Sequence, residues 1–185
     1  MNSVFLFFSL SKMNIIEFFE LSAGKWFSQR TLHNLKSGQL QAGKSNLIIE
    51  SLPQTDAKVV QLCQQHHIDP TTISGGFSST WDGTTEGNSN QQKGSAILVP
   101  IINPDHPQTG QLLQAQGTNP NQSLSGRYNL GEDEVLTVIT ETPNLYIEER
   151  LWYLMPNLRL RTSIVKNNTG LTQASFCSEI RMGVK

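Results

Sequence analysis

The pattern of apolar and polar residues is clearest between Leu145 and Arg181, where three strand-length segments follow one another. They cover residues 145–153, 158–165 and 174–181 and are separated by Pro-Asn and Asn-Asn-Thr-Gly breaks. Short alternating segments joined by turn-forming residues are typical of consecutive antiparallel strands. We therefore predict a three-stranded meander over this part of the chain.

Similar segments precede the meander, with turn signals about every ten residues. This spacing favours a β-barrel or a β-sandwich of about nine or ten strands over a fold that alternates strands and helices. Residues 87–92 are predicted to form a polar loop. The other strands are predicted at residues 26–33, 44–52, 78–86, 94–101, 126–130 and 135–141, and residues 110–116 are ambiguous.

Two short helices interrupt the strand pattern. Asn14 is a suitable N-cap and Gly24 a suitable C-terminal residue for a helix of about two and a half turns with an aromatic stripe. A helix with so apolar a face must pack on a sheet face or across a barrel mouth. Residues 56–68 predict a second helix, and Cys63 lies on its apolar side, where we expect it to pack in a core.

The middle strand of the meander places two arginines on one side. Side chains alternate along a strand, so Arg159, Arg161 and Ser163 share one face while Leu158 and Leu160 lie on the other. Two cations about 7 Å apart repel each other unless an anion lies nearby. From this pattern alone, an exposed ion-paired sheet face and a concave site for a ligand's carboxylates are both open interpretations.

Composition narrows the function classes. A chain of 185 residues with a net charge of −1 fits one domain without the basic surface that nucleic acid or anionic lipid requires. It has no apolar run of the roughly 20 residues that a membrane-spanning helix needs. Cys63 and Cys177 are far apart in sequence, which favours a reducing compartment over a disulfide framework. The sequence also lacks a glycine-rich phosphate loop and the common metal and nucleophile motifs, so binding is favoured over autonomous covalent catalysis.

Residues 1–12 contain a short apolar run, Val4 to Phe8, without the basic residues or the small-residue cleavage site of a signal peptide. We expect these residues to be a leader with little structure, or to lie upstream of a true start at Met13. A single barrel domain is expected over residues 13–185.

One short motif resembles a known superfamily. Gly24-Lys-Trp26, directly after a short helix, resembles the Gly-x-Trp signature of lipocalins, in which a basic residue late in the chain covers the tryptophan. Arg181 is the matching basic residue. Together with three later segments, this region resembles the S/U-type phycobiliprotein (bilin) chromophore lyases over nearly all of residues 13–183. The three later segments are residues 146–152, 156–163 and 174–181.

The resemblance implies an all-β fold, a lipocalin-like (calycin) antiparallel up-and-down barrel with an N-terminal helix and one further short helix. It implies a lyase of the cyanobacterial cytosol or plastid stroma that binds a phycobilin, with phycocyanobilin expected, as its substrate and consumes no cofactor. The bilin would be joined by a thioether bond to a cysteine of an apo-phycobiliprotein subunit of phycocyanin, allophycocyanin or phycoerythrin type. A homodimer, or a heterodimer with a related lyase subunit, is also implied.

The resemblance assigns site residues as well. Glu149 and Arg159 are implied as catalytic residues, with Glu149 accepting hydrogen bonds from the pyrrole N–H groups. The two meander arginines would anchor the two propionates of the bilin, and their loss is expected to affect folding little. Glu179 would orient an arginine, and the tryptophans would be aromatic walls. The implied substrate-binding residues are Arg161, Ser163, Glu179, Trp81, Trp152 and Arg30.

Two other interpretations remain open at this point. One is a non-catalytic bilin carrier or a partner subunit of a heterodimeric lyase. The other is a structural barrel whose arginines form surface ion pairs. Residues 75–92 depart from the family pattern, because no aromatic residue lies between positions 86 and 92.

Overall fold

The computed structural model describes residues 12–117 and 123–183, which form a closed barrel of ten antiparallel strands. Each strand pairs with its neighbours in the chain, and the first pairs with the last. The helices are α1 (Ile15–Ser22) and α2 (Ala57–Gln65), with a 3₁₀ turn at Pro70–Thr72. The strands are β1 (Gly24–Asn34), β2 (Gln39–Leu52), β3 (Gly76–Thr85), β4 (Asn88–Ile102), β5 (Thr109–Gln116), β6 (Ser123–Leu130), β7 (Leu136–Thr142), β8 (Leu145–Met155), β9 (Leu158–Asn167) and β10 (Gly170–Arg181).

Helix α1 closes one end of the barrel. Asn14 caps it by accepting from the backbone N–H groups of Ile16 and Glu17, while the Glu17 carboxylate accepts from the Asn14 N–H. This reciprocal arrangement satisfies amide groups that the first turn leaves unpaired. The aromatic stripe is fully turned inward, and the Phe19 ring stacks on Phe77 of β3 with centroids 5.0 Å apart. The predicted stripe therefore plugs the barrel end.

Helix α2 lies on the outside of the barrel. Val59, Leu62 and Cys63 are buried against Val99 and Leu113, which are outward-facing neighbours on β4 and β5. Burial raises the pKa of the Cys63 thiol, because the thiolate would lose its hydration there. The predicted packing role of Cys63 is confirmed.

The predicted polar loop at residues 87–92 is wrong. Strand β4 begins at Asn88, and only Glu86 and Gly87 form the turn after β3. Gly87 has a φ of +79°, a conformation that glycine adopts readily. Pairing with β3 makes this polar segment a strand, because backbone ladder bonds at a barrel rim do not require an apolar face. Residues 110–116, ambiguous in sequence, belong to β5.

The expected leader lies almost wholly outside the described residues. Lys12 is described, and its Nζ lies 2.6 Å from Oε1 of Glu132 in the turn between β6 and β7. Within the described ranges, the structure contains no helix long and apolar enough to cross a membrane.

Candidate functional site

The inner wall formed by β8, β9 and β10 carries four charged side chains. Glu149, Arg159, Arg161 and Glu179 all line the central cavity, because strand pairing places them on the inward-facing side of the ladder. The side chains of Arg159 and Glu179 are only 5% and 0% exposed. This burial excludes the interpretation of the arginine pair as a surface-exposed, ion-paired sheet face.

Arg159 and Glu179 form a buried ion pair at the base of this wall. Arg159 Nε and Nη2 each lie 2.6 Å from Glu179 Oε2. The Arg159 guanidinium also lies over the Trp26 ring, 5.1 Å from its centroid. Glu179 thus orients an arginine, as expected from sequence. The same contacts neutralise Arg159, so its charge is already compensated in the empty protein.

Arg161 lies between two carboxylates and faces the cavity. Its Nη1 is 3.7 Å from Glu149 Oε1, and its Nη2 is 3.6 Å from Glu179 Oε1 and donates to the Cys177 sulfur at 3.6 Å. Burial alone would lower the pKa of Arg161, but Glu179, Cys177 and Glu149 outweigh it and the pKa is raised. About a third of the Arg161 side chain remains exposed, so it is charged and accessible from the cavity.

The cavity between this charged wall and β2–β4 has a volume of about 340 Å³, within the range of small-molecule sites. Across from the arginines, Trp81 is the large aromatic side chain, packed beside Leu47. The cavity reaches the rim of the barrel at Gln92 and Gln116, which are exposed. It is thus open at the end away from α1.

Contacts of Trp26 and Arg181 stabilise the closed end of the barrel. The Arg181 guanidinium lies 4.2 Å from the Trp26 ring centroid, and it donates to the backbone carbonyls of Ala23, at 2.7 Å, and Leu21. Trp26 Nε1 donates to the Ser22 carbonyl at 2.8 Å. The expected cover of the tryptophan by Arg181 is present, and it ties the end of α1 to the last strand.

Two other predicted residues, Ser163 and Arg30, also lie on the inner face. Ser163 faces inward beside Glu149, and its Oγ lies 2.7 Å from Ser175 Oγ. Arg30 lies on the inner face of β1 near the rim, and its guanidinium has no ion-pair partner in the described part of the chain.

The assignment of Trp152 to the cavity wall is corrected. Trp152 lies cross-strand from Leu160, on the outer face, because the residues of β8 that point inward are those in phase with Glu149. Tyr153, its neighbour, points inward instead and belongs to the closed end, where its Oη lies 2.7 Å from Ser22 Oγ.

Sequence reasoning missed Gly94, which lies directly across from Trp81 on the inner face. A lone glycine in a predicted strand gave no signal of this, because the register between β3 and β4 is needed to pair the two residues. Among residues 12–117 and 123–183, no group of three or more His, Cys, Asp or Glu side chains is placed to hold a metal ion.

Comparisons with known proteins converge on one family. The family model described as CpeS-like protein matches residues 14–182. "Chromophore lyase CpcS/CpeS 1" of Trichodesmium erythraeum (strain IMS101) is 52% identical over 170 residues, covering 91% of this chain and 98% of that protein. "Phycocyanobilin lyase subunit CpcS" of Picosynechococcus sp. (strain ATCC 27264 / PCC 7002 / PR-6) is 36% identical over 168 residues, covering 90% and 85%.

A solved structure agrees with the sequence comparisons. The S-type phycobiliprotein lyase CPES from Guillardia theta superposes with a TM-score of 0.83 at 29% identity, covering 94% of this chain and 96% of that one. The predicted lipocalin-like barrel with two helices is therefore confirmed, both by the ten-stranded ring and by this likeness.

Proposed function

This chain belongs to the CpeS-like protein family, and on that premise we propose that it is a phycobiliprotein chromophore lyase. It binds a phycobilin, phycocyanobilin in the first instance, as its substrate and consumes no cofactor. The reaction adds the thiol of an apo-phycobiliprotein cysteine across the exocyclic double bond of bilin ring A. Sulfur bonds to the side-chain carbon and the proton ends on the neighbouring ring carbon, so nothing leaves and no oxidant is needed.

The observation that supports this proposal is the two-sided lumen. One wall carries the paired Arg161 and Glu149 beside the buried Glu179, and the other presents the flat indole of Trp81. A bilin is a flat π-system with two propionates and several pyrrole N–H groups. It therefore matches an aromatic surface, guanidinium donors and a carboxylate acceptor within one cavity.

The ion pairs in the cavity indicate which arginines are available to bind the two propionates of the bilin. Glu179 neutralises Arg159, and Glu149 offsets Arg161 in the empty site. We infer that a propionate replaces part of the Glu149 contact on Arg161, since that ion pair is long at 3.7 Å and partly exposed. Arg30 supplies the second anchor. The two arginines flank Cys177 in one cross-strand row, with Cα atoms about 10 Å apart by strand spacing.

Glu149 is then free to accept from the pyrrole N–H groups and to stabilise a protonated bilin. Arg159, at the closed end of the barrel, acts as a positioning residue. It holds the Glu179 carboxylate, whose other oxygen lies 3.6 Å from Nη2 of Arg161, and so fixes the position of Arg161. Catalysis comes from holding one bilin conformer with ring A directed to the open rim, where the acceptor cysteine reaches it.

The apo-phycobiliprotein subunit is the macromolecular partner in this proposal, and the cytoplasm, where phycobiliproteins are assembled, is the compartment. A lyase and a non-catalytic carrier or partner subunit differ in whether this chain alone accelerates thioether formation. Both bind bilin, but only a lyase accelerates thioether formation.

The test is co-expression with a bilin source and apo-subunits, with covalent attachment detected by zinc fluorescence on a denaturing gel. We expect a fluorescent subunit band that depends on this chain. Binding of phycocyanobilin without faster attachment would indicate the carrier. Absence of any colour change with phycocyanobilin would refute both, and would leave a structural barrel.

A further inference from the structure

The wall opposite the arginines is rich in small residues. Besides larger residues such as Leu47 and Phe77, its inward positions on β2, β3 and β4 include the small residues Gly43, Ser45, Ser79, Gly83, Gly94 and Ala96. The large Trp81 ring, among these small residues, has room to lie in more than one orientation unless a specific contact fixes it.

Gly94 provides that contact. A Cβ atom added to Gly94 would lie 2.2 Å from Cζ2, 2.4 Å from Cε2 and 2.8 Å from Nε1 of Trp81. Carbon atoms pack at about 3.5–4.0 Å, so the indole covers the Gly94 backbone directly. Leu47, cross-strand on the other side, packs on Trp81 as well.

We propose that Gly94 is a positioning residue for bilin binding: it lets the Trp81 indole lie against the barrel wall, so that its free face is a stacking surface for a pyrrole ring. This inference rests on the proposed function. Any side chain at position 94 would tip the indole into the lumen, toward the arginines, and narrow the space for a flat ligand. Position 94 therefore sets the width of the site at the level of Trp81.

A purely structural explanation must be distinguished from this one. An aromatic ring laid across a cross-strand glycine can stabilise a sheet without any ligand. That explanation predicts that substitution of Gly94 changes unfolding alone. The positioning role predicts a change in bilin affinity and in the spectrum of the bound bilin, and it predicts that both changes require Trp81.

The experiment titrates the full chain with phycocyanobilin, following absorbance and induced circular dichroism. We expect Gly94→Ala to weaken binding about tenfold, the scale of a lost aromatic contact with its buried area, and to alter the induced dichroism. Trp81→Leu should weaken binding similarly. In the double variant Gly94→Ala, Trp81→Leu, the glycine substitution should add nothing further, since no indole remains to be displaced.

Gly126→Ala is the matched control. Gly126 is also an inward-facing strand glycine, on β6 and three strands from β3, and an added Cβ would meet the Ile139 carbonyl oxygen at 2.8 Å and Thr140 Oγ1 at 2.9 Å instead of Trp81. It should cost stability without changing affinity for phycocyanobilin. Equal loss of affinity in both alanine variants, or an undiminished effect of Gly94→Ala in the Trp81→Leu background, would overturn the proposal.

Fluorine NMR of 5-fluorotryptophan-labelled protein distinguishes failure of the positioning role of Gly94 from failure of the proposed function. The chain has three tryptophans, and Gly94→Ala should move only the Trp81 resonance. An unmoved resonance in a variant that binds bilin normally would refute the positioning role alone. A parent chain that does not bind phycocyanobilin would instead refute the proposed function, and the positioning role with it.

Discussion

The Arg159 guanidinium and the Glu179 carboxylate meet inside the barrel, with Nε and Nη2 each 2.6 Å from the same oxygen, Oε2. Both side chains are almost fully buried, and Trp26 covers the cation. This relationship changes the role expected for Arg159. It was predicted from sequence as a free propionate anchor whose loss would leave folding nearly intact, and the pair instead makes it part of the base of the cavity.

Arg159→Ala should therefore lower the free energy of unfolding by about 3–5 kcal/mol, because it leaves a carboxylate buried without its partner. Denaturant unfolding followed by circular dichroism measures this. The double variant Arg159→Met, Glu179→Leu should recover much of the loss, since it removes both buried charges. A single variant as stable as the parent would contradict the prediction.

Arg161→Ala should weaken phycocyanobilin binding by roughly ten- to a hundredfold, the equivalent of a charge-assisted hydrogen bond of about 1.5–3 kcal/mol. Arg161→Lys should recover only part of the affinity, because an ammonium group cannot form the guanidinium fork. Arg127→Ala is the control, since Arg127 pairs with Glu141 on the outer face with both side chains more than half exposed. Unchanged affinity in Arg161→Ala would place the anchor elsewhere.

Glu149→Gln should shift the absorption spectrum of bound bilin and slow transfer more than it weakens binding, because it removes the counter-ion of a protonated tetrapyrrole. Glu148→Gln tests the neighbouring position: Glu148 lies on the outer face and accepts from Tyr146 Oη at 2.7 Å. It should leave the spectrum unchanged. Identical spectra for the Glu149 variant and the parent would argue against a carboxylate contact with the pyrroles.

The buried phenol of Tyr128 should make the stability of the protein depend on pH. Burial raises the pKa of Tyr128 to about 12 from 10.0, and its Oη has no hydrogen-bond partner within the described residues. A group whose pKa is raised by folding stabilises the protein below its unfolded pKa and loses that contribution as pH rises. Stability should therefore fall between about pH 10 and 12. Tyr128→Phe should flatten this fall without loss of stability at neutral pH, measured by thermal unfolding across that range. A parallel alkaline decline in both proteins would assign the effect to other groups.

Local sequence determined much of the fold. Alternation and turn residues located the strands, because side chains on a pleated strand necessarily point to opposite faces. Asn14 and the apolar stripe located α1, because a cap and helical spacing are local properties. The same alternation placed Arg159 and Arg161 on one face of a strand. The resemblance to the chromophore lyases indicated that the strands form a barrel and not a sandwich.

Only the tertiary structure decided which face was the inside and which residues met across it. Trp152 was assigned to the wrong face and Gly94 was missed, because register between strands depends on pairing partners far apart in the chain. Arg159 and Arg161 look equivalent in sequence, yet burial and the position of Glu179 separate them. The first is neutralised and enclosed at the closed end, and the second stays partly exposed to the cavity. Position along the barrel axis produced this difference, since Arg159 lies under Trp26 at the closed end and Arg161 lies two residues further along β9, toward the open rim.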